Sequence, residues 1–275
     1  MSDSRPIGVL DSGLGGLTVA KEILRLMPGE RVVYLGDTAR YPYGNRSDEA
    51  IRSFALEGAQ ELYDRDIKLL VVACNTMAAI ATKAIEQCLH GVPVIGVILP
   101  GVRAAVLRTA DRKIGVIGSH ATMRSSVYEQ AIHRIDSSVK VYQTPGPLLQ
   151  SLVEEMMLDH DITRMVAQFY LYEMVDIGVD CLILGSSLYP PLFEVIQGTV
   201  GTRMQVLDSA LWTAKETQDI ITALDLKNVK PSKGKEECVF LFTEDPAERG
   251  GQLIGQFFGE DVGEYSVIEP GKKPL

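Results

Sequence analysis

The chain has 275 residues and a formal charge of −9 at pH 7, from 27 basic and 36 acidic side chains. With 46% hydrophobic and 23% charged residues it suits one large α/β core or two of ordinary size, which excludes a disordered or fibrous class. An acidic balance with no dense Lys/Arg block points away from nucleic acid and toward a small-molecule partner.

Residues 1–5 are polar and run straight into an apolar segment over 7–10, leaving no room for a signal peptide, and no apolar run reaches membrane-spanning length. A cytoplasmic protein without a membrane partner is expected. The cysteines at 74, 88, 181 and 238 have neither CxxC spacing nor the density of a disulfide scaffold, so free thiols are expected. The histidines at 90, 120, 133 and 160 make no metal-ligand pattern, and no metal is expected.

The first predicted strand, 7–10, ends at Asp11-Ser12-Gly13-Leu14-Gly15-Gly16 and leads into a helix from about Leu17. One of Asp11 and Ser12 reads as a helix cap, which leaves the other to face a crevice. Gly13 and Gly15 match the first two positions of a dinucleotide fingerprint, with Asp37 at nearly the right distance, but Thr18 holds the third glycine position and the match is weak. A second strand over 31–35 precedes a loop over 36–44 whose path is set by Pro42 and Gly44. In that loop Tyr43 either offers its hydroxyl to a substrate carboxylate or packs over the loop. An amphipathic helix over 48–65 then leads to an apolar, β-branched run over 69–72 that stops at Ala73-Cys74-Asn75-Thr76. Such a run reads as a buried parallel strand, and ligands collect at the carboxyl ends of these strands. Cys74, Asn75 and Thr76 are therefore candidate site residues; the alternative is that Cys74 is only a small buried hydrophobe. A helix continuing to Leu89 and a strand over 92–97 follow.

From residue 100 onward the pattern restarts. Ile114-Gly115-Val116-Ile117-Gly118-Ser119 echoes Ile7-Gly8-Val9-Leu10-Asp11-Ser12, and Cys181-Leu182-Ile183-Leu184-Gly185-Ser186-Ser187 echoes residues 69–76. Between them lie a Pro145-Gly146-Pro147 loop, a helix over 148–157 carrying Glu154 and Glu155, and a helix over 163–177. Adjacent positions do not share one helix face, so one of the two glutamates can point inward. Residues 206–209 are expected to begin the return to the first half, with a helix over 210–224, a charged loop over 228–237 and a disordered tail over 269–275. The expected fold is α/β, with two similar domains of mainly parallel sheet related by a pseudo-twofold. The first would take 1–98 plus 207–275 and the second 99–206, with the site in the crevice between them and Cys74 facing Ser186.

Several motifs together carry a resemblance. They are Asp11-Ser12-Gly13-Leu14-Gly15-Gly16-Leu17-Thr18, Gly36-Asp37-Thr38-Ala39-Arg40 with Pro42-Tyr43-Gly44, and Ala73-Cys74-Asn75-Thr76. Gly115-Val116-Ile117-Gly118 with Ala121-Thr122, Leu152-Val153-Glu154, and Phe242-Thr243-Glu244-Asp245-Pro246 complete the set. Over nearly its whole length the chain resembles the glutamate racemases of the cofactor-independent aspartate/glutamate racemase family. The resemblance implies an isomerase that inverts the α-carbon of glutamate without pyridoxal phosphate or metal, supplies D-glutamate for peptidoglycan precursors, and commonly dimerises. It places the first catalytic cysteine on Cys74, with Asp11 assisting. It gives Asp11, Ser12, Pro42, Tyr43, Gly44, Asn75, Thr76, Ser119, Thr122 and Ser187 to substrate binding, and makes Glu154 the carboxylate that serves the second cysteine.

Inversion removes a proton from one face of a carbon and returns one to the other, so two acid/base groups must flank it. Here the chain departs from the family. Where the family motif reads Gly-Cys-Thr-His-Tyr-Pro, this chain has Gly185-Ser186-Ser187-Leu188-Tyr189-Pro190. Ser186 takes the place of the second cysteine, and Leu188 takes the place of the histidine that would assist it. A serine hydroxyl is a far weaker acid than a thiol, and no imidazole remains to activate it. Impaired racemisation is expected. Two other readings stay open: a one-base decarboxylase or isomerase of a related dicarboxylate using Cys74, and a ligand-binding paralogue without activity.

Overall fold

The computed structural model describes residues 3–228, 237–259, 262 and 264–270. Most of the loop expected over 228–237, and the tail beyond 270, lie outside these described residues. In chain order the described strands are β1 (Ile7–Asp11), β2 (Val32–Gly36), β3 (Leu69–Val72), β4 (Val94–Gly96), β5 (Lys113–Gly118), β6 (Lys140–Pro145), β7 (Cys181–Gly185), β8 (Gln205–Asp208), β9 (Val239–Phe242) and β10 (Tyr265–Val267). The helices are α1 (Leu17–Leu26), α2 (Asp48–Tyr63), α3 (Asn75–Cys88), α4 (Ile98–Arg108), α5 (His120–Arg124), α6 (Val127–Ile135), α7 (Pro147–Glu154), α8 (Asp161–Ile177), α9 (Phe193–Val200), α10 (Ser209–Ala223) and α11 (Ala247–Phe258).

The strands form two all-parallel sheets, ordered β10-β9-β2-β1-β3-β4 and β6-β5-β7-β8. β1, β2, β3 and β7 are buried along their whole length, as expected of central strands covered on both faces. The order β2-β1-β3-β4 recurs as β6-β5-β7-β8, so the echoed segments occupy the same two central places in each sheet. In both sheets chain direction across the sheet reverses between those central strands, the place where an open parallel sheet leaves a crevice at its carboxyl edge. β1 and β3 therefore deliver Asp11 and Cys74 to one side of the molecule's centre, and β7 delivers Ser186.

Segment 206–209 is not the return to the first half. Leu207 and Asp208 pair with Ile183 and Leu184 of β7, so the ladder of the second sheet runs through the boundary expected after 206. The return is made by α10, whose first N–H groups are capped by the Asp208 carboxylate and which packs against α1. Residues 119–136 hold two short helices, with Ser126 between them in the left-handed region at φ 53°. On α8 one stripe, Ile162, Met165, Phe169 and Tyr172, is exposed although apolar, while Ala167, Leu171 and Met174 face the core.

Candidate active site

The first wall of the central crevice is built at the ends of β1 and β3. Asp11 closes β1 and is 1% exposed; its Oδ1 accepts the Gly13 N–H at 2.8 Å. Cys74 lies two residues beyond β3 and immediately before α3, 5% exposed, with its Sγ 3.2 Å from Ser12 Oγ. Cys74 stands at the N-cap position of α3. A thiolate there would sit at the positive end of the helix dipole.

The loop after β2 closes this wall from above and is held by one carboxylate. Asp37 accepts the Tyr43 hydroxyl, the Arg40 Nε at 2.7 Å and the Thr243 hydroxyl at 2.8 Å. Thr38 and Glu244 exchange a further pair of hydrogen bonds at 2.7 and 2.9 Å. The Phe242-Thr243-Glu244 motif thus buttresses the loop, and the buried Asp37 is committed to holding it. Gly15 serves close approach: a Cβ there would lie 2.5 Å from Ser187 Oγ. The glycine-rich turn thus receives the second half of the molecule, which corrects the weak dinucleotide match.

The second wall follows β7. Ser186, 7% exposed, accepts hydrogen bonds from Gln150 Nε2 of α7 at 3.1 Å and from the Leu188 N–H at 3.4 Å. Ser187 donates across the crevice to Asp11 Oδ2 at 3.1 Å. Asp11, Ser12, Gly15, Tyr41, Pro42, Tyr43, Gly44, Cys74, Asn75, Thr76, Gln150, Ser186, Ser187 and Leu188 together line one narrow crevice. Among the described residues no lysine, arginine or histidine lines it, so a bound carboxylate would depend on N–H and hydroxyl donors.

Burial dominates the electrostatics. It pushes the Asp11 carboxyl up to about 6 against the bonds from Gly13, Ser187 and Gly16 that favour the anion. It pushes the Cys74 thiol up to about 11, with the nearby Asp11 charge adding to the rise. With these values Asp11 is mostly ionised at neutral pH and Cys74 is a thiol. An ammonium group entering beside them would lower both values and favour the thiolate.

A family model described as Asp/Glu/Hydantoin racemase matches residues 7–217. The chain belongs to that family. It is 42% identical over 271 residues to the glutamate racemase of Geobacter metallireducens, covering 98% of both chains. A glutamate racemase isoform from Bacillus anthracis superposes with a TM-score of 0.90 at 36% identity, covering 98% of this chain and 99% of that one. The Francisella tularensis glutamate racemase, solved in complex with D-glutamate, gives a TM-score of 0.91 at 32% identity with the same coverage.

Of the residues that the family resemblance singled out, Asp11, Ser12, Pro42, Tyr43, Gly44, Cys74, Asn75, Thr76, Ser186 and Ser187 line one crevice. Tyr43 lines it with its hydroxyl already given to Asp37, so that hydroxyl is not offered to a carboxylate. Ser119 and Thr122 lie outside the lining. Ser119 caps α5 and, with Thr122, hydrogen-bonds Thr76 Oγ1 from behind, at 2.9 and 3.4 Å. Glu154 does not meet Ser186 in the crevice. It accepts the Tyr41 hydroxyl and lines an adjoining vestibule with Glu155, Glu244 and Asp245. Tyr41 and Leu188 line both spaces and separate them. Gln150 and Tyr41 went unnoticed in the sequence, where each reads as an ordinary polar surface position.

Proposed function

We propose that this chain acts on glutamate as a racemase-family isomerase, with Cys74 carrying the α-proton on one face and Ser186 standing where a second proton carrier would be. The supporting observation is a buried thiol and a buried hydroxyl on opposite walls of one crevice, with Asp11 beside the thiol. The α-C–H bond breaks as the Cys74 thiolate takes the proton, and the electron pair delocalises into the substrate's carboxylate. Return of a proton from Cys74 restores the starting enantiomer; delivery at the other face inverts it. The Ser186 face has neither a thiol nor an imidazole, so exchange outruns inversion. A division into two units with the second boundary after β8, the cytoplasmic setting, the role in peptidoglycan supply and the homodimer belong to the same proposal.

Incubation with D- and L-glutamate in heavy water tests it, with α-deuterium read by NMR and inversion by circular dichroism. The expected result is exchange of one enantiomer faster than inversion of either. Equal rates of exchange and inversion would show that the second face is complete. Binding of glutamate without exchange would replace this reading with that of a ligand-binding paralogue.

A further inference from the structure

The hydrogen bonds around Ser186 set the direction in which its proton points. A hydroxyl oxygen has two lone pairs and one O–H. Gln150 Nε2 and the Leu188 N–H both donate to Ser186 Oγ, at 3.1 and 3.4 Å, which occupies both lone pairs. The O–H is then left to be given away, and Ser186 is buried against the crevice. Among the described residues the Ser186 hydroxyl oxygen only accepts, and its O–H is given to no protein group. The Ser187 hydroxyl is itself a donor to Asp11, the Tyr41 hydroxyl is a donor to Glu154, and Leu188 is a hydrocarbon.

We infer that Gln150 is a positioning residue that fixes Ser186 as a one-way hydrogen-bond donor toward the substrate. The inference rests on the reading of Cys74 as the proton carrier and extends it to the opposite wall. In this arrangement Ser186 never removes an α-proton, because its lone pairs are taken. It stabilises the negative charge that grows on the substrate as Cys74 removes the proton, in the manner of an oxyanion-hole donor. The substrate class follows: an amino acid or related acid whose α-hydrogen faces Cys74, with no reaction started from its mirror image.

The test measures α-deuterium incorporation from heavy water for the parent, Gln150→Leu, Gln150→Glu, Ser186→Ala and the Gln150→Leu/Ser186→Ala double variant, with thermal melting to establish folding. Gln150→Leu frees a lone pair, and Gln150→Glu supplies an acceptor of the same shape that draws the Ser186 proton away from the crevice. The expected result is a fall in kcat of about a hundredfold for each single variant, the low end of the range for loss of one oriented donor, with KM changed by less than about threefold. The double variant should be no slower than Ser186→Ala alone, because Gln150 acts only through that hydroxyl. Parent-like kcat in a folded Gln150→Glu variant would overturn the inference. So would an effect of Gln150→Leu that is as large without Ser186 as with it. Failure of the Cys74 reading is separable, since exchange by the parent would then survive Cys74→Ala.

Discussion

The two walls of the crevice come from equivalent strands, yet they carry opposite chemistry. At the ends of β1 and β3 stand a carboxyl pushed up to about 6 and a thiol pushed up to about 11, both buried and held by N–H and hydroxyl donors. At the end of β7 stand two serines and a leucine, arranged by an amide. The first wall can store and move a proton, whereas the second can orient and exclude water. A repeated fold therefore sets where a residue stands and leaves open what it does there. The same contrast separates exchange, which needs one competent face, from inversion, which needs two.

Removing the thiol breaks the contrast most severely. Cys74→Ala should lower α-proton exchange by about a thousandfold or more, at the upper end of what one acid/base group contributes, while D-glutamate binding persists. NMR of the exchanged α-position together with calorimetric titration reads both quantities. Exchange within tenfold of the parent would mean that another group carries the proton.

Rebuilding the second wall should sharpen it in the other direction. Ser186→Cys with Leu188→His is expected to raise racemisation by about a hundredfold, with a smaller gain from Ser186→Cys alone. Leu188 lines both the crevice and the vestibule that holds Glu154, so an imidazole there would lie between a thiol and a carboxylate. Cys74→Ala should abolish the gain. A folded, glutamate-binding double variant that racemises no faster than its parent would mean that the pocket serves a different substrate.

Much of this comparison was readable before any coordinates. Apolar, β-branched runs 7–10, 69–72 and 181–184 made the central strands plain, and each ended in a polar motif that lines the crevice. What stayed hidden depends on adjacency across the two halves. Gln150 sits on the polar side of a helix 36 residues before the serine it contacts, and nothing in its local pattern marks it. Ser119 and Thr122 carry the family's motif yet stand behind Thr76, because Ser119 spends its hydroxyl on capping α5 and bracing the partner hydroxyls. Glu154 lies on the inward side of α7, but the Tyr41 hydroxyl keeps it in the vestibule.

The pH profile sharpens the account of the first wall by a smaller amount. In the proposed reaction Asp11 assists as the carboxylate, and burial pushes its pKa up to about 6. Exchange measured as kcat/KM should fall by about tenfold per pH unit below that value, since kcat/KM reports groups of the free enzyme. A profile flat down to pH 4.5 in the folded protein would remove Asp11 from the reaction. Gln150, Ser186, Ser187 and Leu188 carry no group that ionises in this range, so a second acidic limb is not expected.

The smallest effect is on stability, and its sign opposes that on activity. Asp11 has a folded pKa of about 6, raised from 3.8 by burial, so the native state holds this proton more tightly than the unfolded chain does. Its contribution is fully favourable below 3.8 and is lost as pH rises through 6. At pH 7 the empty protein therefore keeps a carboxylate buried at a cost that a neutral side chain of the same shape would not incur. Asp11→Asn should stabilise the ligand-free protein at pH 7 by about 1 to 3 kcal/mol, the equivalent of a shift of roughly two pKa units less whatever the lost Ser187 contact contributed. At pH 4, where Asp11 is mostly protonated, the same substitution should change stability little. Urea unfolding at both pH values reads the difference. A variant no more stable than its parent at pH 7 would mean that the Gly13, Gly16 and Ser187 donors already offset the burial, leaving Asp11 ionised at no expense to the fold.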